Sequence, residues 1–183
     1  MRGDLMRHAV PARPAEERIH DFCEVSLGYT DELALAEAAR CLNCKNPLCM
    51  QGCPVGVHIP LFISKLRDGD PDAAAEVLLS DNNLPAVCGR VCPQENQCEK
   101  FCVRREKAGG SVAIGALERY VADHAAAKGI KGAAAERGYA KVAGVGTGPA
   151  SLSCAADPAR AGVRGVEVEA FHKAGGGLVY GFP

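Results

Sequence analysis

The stretch Cys41-Leu-Asn-Cys44-Lys-Asn-Pro-Leu-Cys49-Met-Gln-Gly-Cys53-Pro54 sets four cysteines within thirteen residues. A second run follows, Cys88-x3-Cys92-Pro93-x4-Cys98-x3-Cys102, so eight of the chain's ten cysteines lie between positions 41 and 102. Free thiols at that density are open to oxidation, so the spacing calls for a chemical reason. Multi-cysteine runs closed by Cys-Pro hold pairs of iron–sulfur clusters, and the last cysteine of such a run ligates the other cluster. The pattern predicts an electron-transfer module whose two cofactors interlock the fold.

The remaining composition narrows the alternatives. With 183 residues the chain has room for one domain, or a domain and a fragment. Its 21 basic and 22 acidic residues give a net charge of −1 without a charge run, so neither a nucleic-acid nor a membrane partner is expected. Aromatic residues make up 5% and tryptophan is absent, which argues against a base-stacking platform. The opening MRGDLMRHAVPARP has no apolar core of a signal peptide, and no 18-residue apolar run suggests a membrane span. A cytoplasmic, reducing setting is therefore expected, where thiolates hold metal rather than disulfides. A zinc-stabilised interaction module is the competing metal reading. Zinc ribbons use two Cys-x2-Cys pairs, and here only Cys41/Cys44 has that spacing.

The fold class read from the pattern is mainly α: a helical domain for two [4Fe-4S] clusters over 1–130, a linker over 131–140, and an incomplete Rossmann-like β-α-β unit over 141–183. Residues 1–30 read as an irregular charged arm. Thr30 caps a helix over 31–40, with Asp31 and Glu32 suited to the helix dipole. Pro60 opens a second helix to Arg67, which Gly69 stops. Asp70-Pro71 opens a third, which Asp81-Asn82-Asn83 and Pro85 end. Ser111 caps a fourth, running to about Lys128, whose buried face is Ile114, Leu117, Val121 and Ala125. Further on, Lys141–Val145 reads as a strand, Gly146-Thr147-Gly148 as the turn of a dinucleotide-binding unit, and Val166–Ala170 as the second strand. Glu169 stands where an acidic residue meets a ribose hydroxyl.

Five stretches carry a family resemblance: "FCEVSLGYT", "EAARCLNCKNPLCMQGCPVGVHIPLFI", "LPAVCGRVCPQENQCEKFC", "VAIGALERYVAD" and "GTGPASLSCAAD…EAFHKAGGGLVYGFP". The chain resembles the N-terminal part of the small (beta) subunit of NADPH-dependent glutamate synthase. It is also similar to ferredoxin:NADP oxidoreductase large subunits and to the N-terminal region of dihydropyrimidine dehydrogenase. The resemblance implies an oxidoreductase of the NADPH-type glutamate synthase kind, in which electrons from NADPH reduce FAD and leave singly through two [4Fe-4S] clusters. It implies one cluster on Cys41, Cys44, Cys49 and Cys102, and a second on Cys53, Cys92, Cys98 and Glu118. The implied partner is a glutamate synthase large subunit or a similar flavoprotein electron acceptor, with self-association left open. Gly146, Gly148 and Glu169 are the implied FAD contacts, and the NADPH site falls outside this chain. A non-catalytic iron–sulfur relay, or a fragment of a related ferredoxin:NADP or pyrimidine reductase, is the alternative.

Glu118 is singled out a second way, because it lies four residues from Ile114 and three from Val121, on the apolar face. A buried carboxylate needs a partner; an ion pair with Arg119 or Arg104 is the plain alternative to a cluster. Cys88, Cys23 and Cys154 read as packing cysteines, and His58 and His124 as non-ligands. Lys45, Arg90, Lys100, Arg104 and Arg105 flank the cysteines and read either as solvated surface charges or as charges that offset the clusters' negative charge. Residues 141–183 depart from the family pattern. Ser151 replaces the packing glycine, Pro158 falls inside the crossover helix, and Gly144 and Gly165 interrupt the strands. Alone, this segment is not expected to hold FAD firmly.

Overall fold

The computed structural model describes residues 6–107, 109–136 and 138–181, and the chain divides after Lys131 into two compact units. In the first, the described helices are α1 (Ala15–Arg18), α2 (Asp31–Ala39), α3 (Leu48–Gln51), α4 (Ile59–Arg67), α5 (Pro71–Asp81), α6 (Pro85–Val91) and α7 (Ile114–Lys128). A single 3-10 turn, Gln94–Asn96, follows α6. The second unit holds strand β1 (Lys141–Val145), α8 (Pro149–Arg160), strand β2 (Arg164–Val168) and α9 (Gly177–Tyr180).

Helix starts follow their side-chain chemistry. Thr30 accepts a hydrogen bond from the Leu33 amide and Asp70 one from the Ala73 amide, satisfying orphan donors of α2 and α5. The expected cap at Ser111 is not formed: α7 begins after Ala113 without a side-chain cap, and the Ser111 hydroxyl instead accepts from Arg7. Pro85 does not stop structure either. At N1 a proline needs no hydrogen bond and its φ is already helical, so it opens α6. The N-terminal arm is also more ordered than expected, carrying α1 and an antiparallel bridge between Ala12 and Ser26.

The core of the first unit joins Ala34 and Ala38 of α2, Phe62, Ile63 and Leu66 of α4, Ala74, Ala75 and Leu78 of α5, and Leu117, Val121 and Ala125 of α7. All four residues expected on the buried face of α7 are buried. At the crossing of α6 with α7, a Cβ on Gly89 would lie 2.6 Å from the Arg119 amide nitrogen and 2.7 Å from its Cα. Backbone cannot move aside there as a flexible side-chain end can. Gly89→Ala gains about 1 kcal/mol of helix propensity but forces overpacking that costs about 1–3 kcal/mol. A net fall in the urea midpoint is the expected outcome; a rise in the midpoint would refute the tight crossing.

In the second unit β1 and β2 pair in parallel, Lys141 with Arg164 through Val145 with Val168. The second strand thus begins two residues earlier than read from sequence, because Gly165 sits inside the ladder opposite Val142. Most positions of both strands are solvent-exposed. Pro158 is accommodated within α8. The segment expected as a linker is tied to this unit, with Ala135 N donating to Arg160 O and Gly138 N to Gly162 O.

Candidate iron–sulfur centres

The first group of donors is assembled from three places. Cys41 directly follows Arg40 at the C-terminus of α2, Cys49 lies in α3, and Cys44 sits in the loop between, where Asn43 takes φ +47°. Cys102 comes from the turns after the 3-10 segment. All four line one cleft, whose other walls include Ile59, Ile63, Leu48 and Phe101. Burial, reinforced by Cys102, Cys41 and Cys44, pushes the Cys49 thiol up to about 12, and burial likewise raises Cys41. Burial thus favours the neutral thiol at Cys41 and Cys49; a bound iron centre would displace those protons and take thiolates.

A buried ion pair fixes this cleft. Glu37 has no exposed surface and accepts from the His8 amide and ring, from the Ala113 amide at 2.8 Å, and from the Arg40 guanidinium. Burial alone would raise its carboxyl, but those bonds outweigh it and hold the carboxyl below its usual range. Arg40 also donates to the carbonyls of Gly109, Gly110 and Ser111 at 2.6, 2.7 and 3.1 Å. Arg104 in turn donates to Arg40 O at 3.2 Å. The residue before Cys41 thus clasps the connection that follows Cys102, so arginine side chains tie the two sequence-distant cysteine segments together.

The second group gathers Cys53 after α3, Cys92 at the end of α6, the buried Cys98, and Glu118 on α7. Burial raises the Cys98 thiol to about 12, with Glu99, Cys53 and Glu118 adding to it, and raises Cys92, with Cys88, Glu118 and Cys53 adding. Glu118 is 9% exposed, and burial pushes its carboxyl up to about 7. Its hydrogen-bond partner is neither arginine considered from sequence. Asn82 Nδ2 donates to Glu118 Oε1 at 2.8 Å, while Arg119 serves Ser26 and Glu24.

Asn82 was missed as a site residue. It is 4% exposed, and its Oδ1 accepts from the Leu84 amide at 2.9 Å and from Cys88 Sγ at 3.9 Å. A polar residue straight after α5 reads as a helix end; its burial comes with its bonds to Glu118, the Leu84 amide and Cys88.

His58 donates its amide and sets its ring Nδ1 against Asp81 Oδ2, and His124 meets Asp72 at 2.6 Å. Cys23 and Cys154 are exposed rather than packed. Among the described residues, no three His, Cys, Asp or Glu side chains converge as a single metal ion requires. The donors of the first group stand around a cleft instead, an arrangement suited to a multi-iron cluster rather than one zinc ion.

In the second unit Gly146 takes φ +90° and its amide donates to Val168 O at 2.8 Å, and Gly148 is the N-cap of α8. Glu169 folds onto that turn. One of its oxygens accepts from the Thr147 amide and hydroxyl, the other from the Ala170 and Phe171 amides. The hydrogen bond from Thr147 lowers its carboxyl, so it is an anion. A carboxylate offers about four lone-pair sites, and all are engaged, so as folded Glu169 has none left for a ribose hydroxyl.

Cysteines, half-buried except for the buried Cys98, lie in two groups, with the buried carboxylate of Glu118 beside the second. Residues 18–130 match the family described as dihydropyrimidine dehydrogenase domain II, 4Fe-4S cluster, and the chain belongs to that family. It is 38% identical over 182 residues to the small chain of NADPH glutamate synthase from Halomonas elongata, covering 98% of this chain and 38% of that protein. The corresponding protein of Azospirillum brasilense is 40% identical over 176 residues, 93% of this chain and 36% of that one. The oxidoreductase AegA of Escherichia coli is 40% identical over 186 residues, 100% of this chain and 27% of that one. The chain therefore spans about two fifths or less of the length of these relatives. No described helix is long and apolar enough to cross a membrane.

Proposed function

We propose that residues 1–131 form a two-cluster electron-transfer domain of a glutamate synthase-type oxidoreductase, relaying electrons from an NADPH- and flavin-dependent module to a glutamate-forming partner subunit. The observation that supports this reading is that Cys41, Cys44, Cys49 and Cys102 line one cleft while Cys53, Cys92, Cys98 and Glu118 lie near one another. Cys41, Cys44, Cys49 and Cys102 would hold one [4Fe-4S] cluster; Cys53, Cys92, Cys98 and Glu118 would hold the other. Bound clusters supply single-electron storage. The protein's part is to bury the sulfurs, hold the sets apart on α3 and its flanks, and keep water from them. Cys53 and Cys49 are separated by one helical turn, so the chain itself bridges the two sets. Gly146, Gly148 and Glu169 would be this chain's share of an FAD site, but Glu169 as folded does not fit that role and no step is drawn through it. The match to AegA favours a second reading, in which the same domain serves a different acceptor.

Anaerobic reconstitution with iron and sulfide tests the proposal. About eight irons and eight sulfides per chain are expected. Saturation near four irons, or uptake of zinc in their place, would reject it. Cys41→Ser should remove one reduced-state EPR signal and Cys53→Ser the other. Loss of the same signal from both would refute the division into two sets.

A further inference from the structure

We propose that the mouth of the first cysteine cleft is the docking surface for an acidic electron-carrying protein, selected by the basic rim of Lys45, Lys100 and Arg105. The inference rests on the reading that Cys41, Cys44, Cys49 and Cys102 hold a cluster. Leu42, Leu48, Phe101 and Val103 line that same cleft, yet they are 50, 39, 44 and 39% exposed. Single exposed apolar side chains need no explanation, but several bordering one cleft and rimmed by charge mark an interaction surface. These side chains are also the outer wall of the cleft. A protein seated on them would approach the first site more closely than one docked anywhere that full layers of core intervene.

The charge pattern specifies the partner. Apart from the buried Arg104, segments 41–48 and 100–107 carry Lys45, Lys100, Arg105 and Lys107 against one acid, Glu106, in a chain whose net charge is −1. Segments 51–58 and 91–97, which border the second set, contain no lysine or arginine and one acid, Glu95. The two sites therefore present different faces. Lys45, Lys100 and Arg105 are exposed, and Lys100 Nζ lies 6.0 Å from the Phe101 ring, so cation and apolar wall form one surface. Rim charges of one sign steer a partner of the opposite sign and repel one of the same sign. An acidic flavoprotein fits; a basic cytochrome does not.

Calorimetric titration of the iron-loaded chain with an acidic flavodoxin tests this. Binding is expected at ~0.02 M salt and is expected to vanish at ~0.5 M, where screening acts within a few ångströms. The pair Lys45→Glu/Lys100→Glu should weaken binding at least ~tenfold at full iron content, while Lys45→Arg/Lys100→Arg should retain it. Equal affinity in the charge-reversed protein, or tighter binding of basic cytochrome c than of flavodoxin, would overturn the docking surface and leave the cluster reading standing. A wild-type chain that takes up no iron at the first set would overturn both.

Discussion

Glu118→Ala is expected to cut the iron of the reconstituted protein from about eight to about four per chain. The thiols of Cys53, Cys92 and Cys98 would remain, but the second set loses its fourth donor. The first set, which does not use Glu118, should keep its signal. Glu118→Gln separates ligation from packing. A carboxamide keeps an oxygen donor and the Asn82 contact, so this variant should hold more iron than Glu118→Ala, as should Cys88→Ala. An unchanged EPR spectrum in Glu118→Ala would remove Glu118 from the site. The metal-free protein offers a second readout. Burial there pushes the carboxyl from 4.5 to about 7, so the folded state holds the proton more tightly than the unfolded chain. That contribution to stability is complete below the unfolded value and is lost as pH rises through about 7. Metal-free Glu118→Gln, neutral throughout, should therefore match wild type near pH 4 and exceed it above pH 7 by up to about 3 kcal/mol. Urea midpoints across that range measure the difference, and a gap that does not widen with pH would show that Glu118 ionises without a burial penalty.

Much of this arrangement can be read before any coordinates are known, for identifiable reasons. Thr30, Asp70 and Pro71 act through neighbours three or fewer residues away, so local chemistry suffices to place α2 and α5. The apolar stripe of α7 repeats often enough to orient Glu118 inward. Asn82, Glu37 and Arg40 are different, because nothing local distinguishes a buried polar residue at a helix end from a solvated one. Their roles arise when segments about 30 to 80 positions apart meet, as Glu37 meets Ala113 and Asn82 meets Glu118. Helix α6 was hidden for another reason. Pro85 follows a clear helix end, and the same residue that terminates one helix is well suited to begin the next. In the second unit Gly165 obscured the true start of β2, since glycine weakens a strand signal without preventing pairing.

The polar clasp at Glu37 is where the largest loss of stability is expected. Glu37→Leu would leave Arg40, only 2% exposed, as a buried cation without its carboxylate, and would strand the Ala113 and His8 amides. Breaking a buried pair from one side costs about 3–5 kcal/mol, a large part of the 5–15 kcal/mol that holds a typical domain together. Replacing the pair by two apolar residues would cost less, which is why Glu37→Leu/Arg40→Met is the informative comparison. It removes the stranded charge but also removes the donors that hold the carbonyls of Gly109, Gly110 and Ser111. The double variant should recover urea stability relative to Glu37→Leu and still fall short of full iron at the first site, because the Arg104 bond to the residue-40 carbonyl would be the one clasp contact left between the Cys41 and Cys102 segments. Wild-type stability should itself fall on acidification, since the Glu37 carboxyl is held below its usual range and its contribution disappears as it takes up a proton. The gap between wild type and Glu37→Leu should accordingly narrow at low pH. A single variant within ~1 kcal/mol of wild type at neutral pH, or a double variant with full iron at both sites, would show that the cleft is positioned by the cysteine loops alone and not by the clasp beneath them.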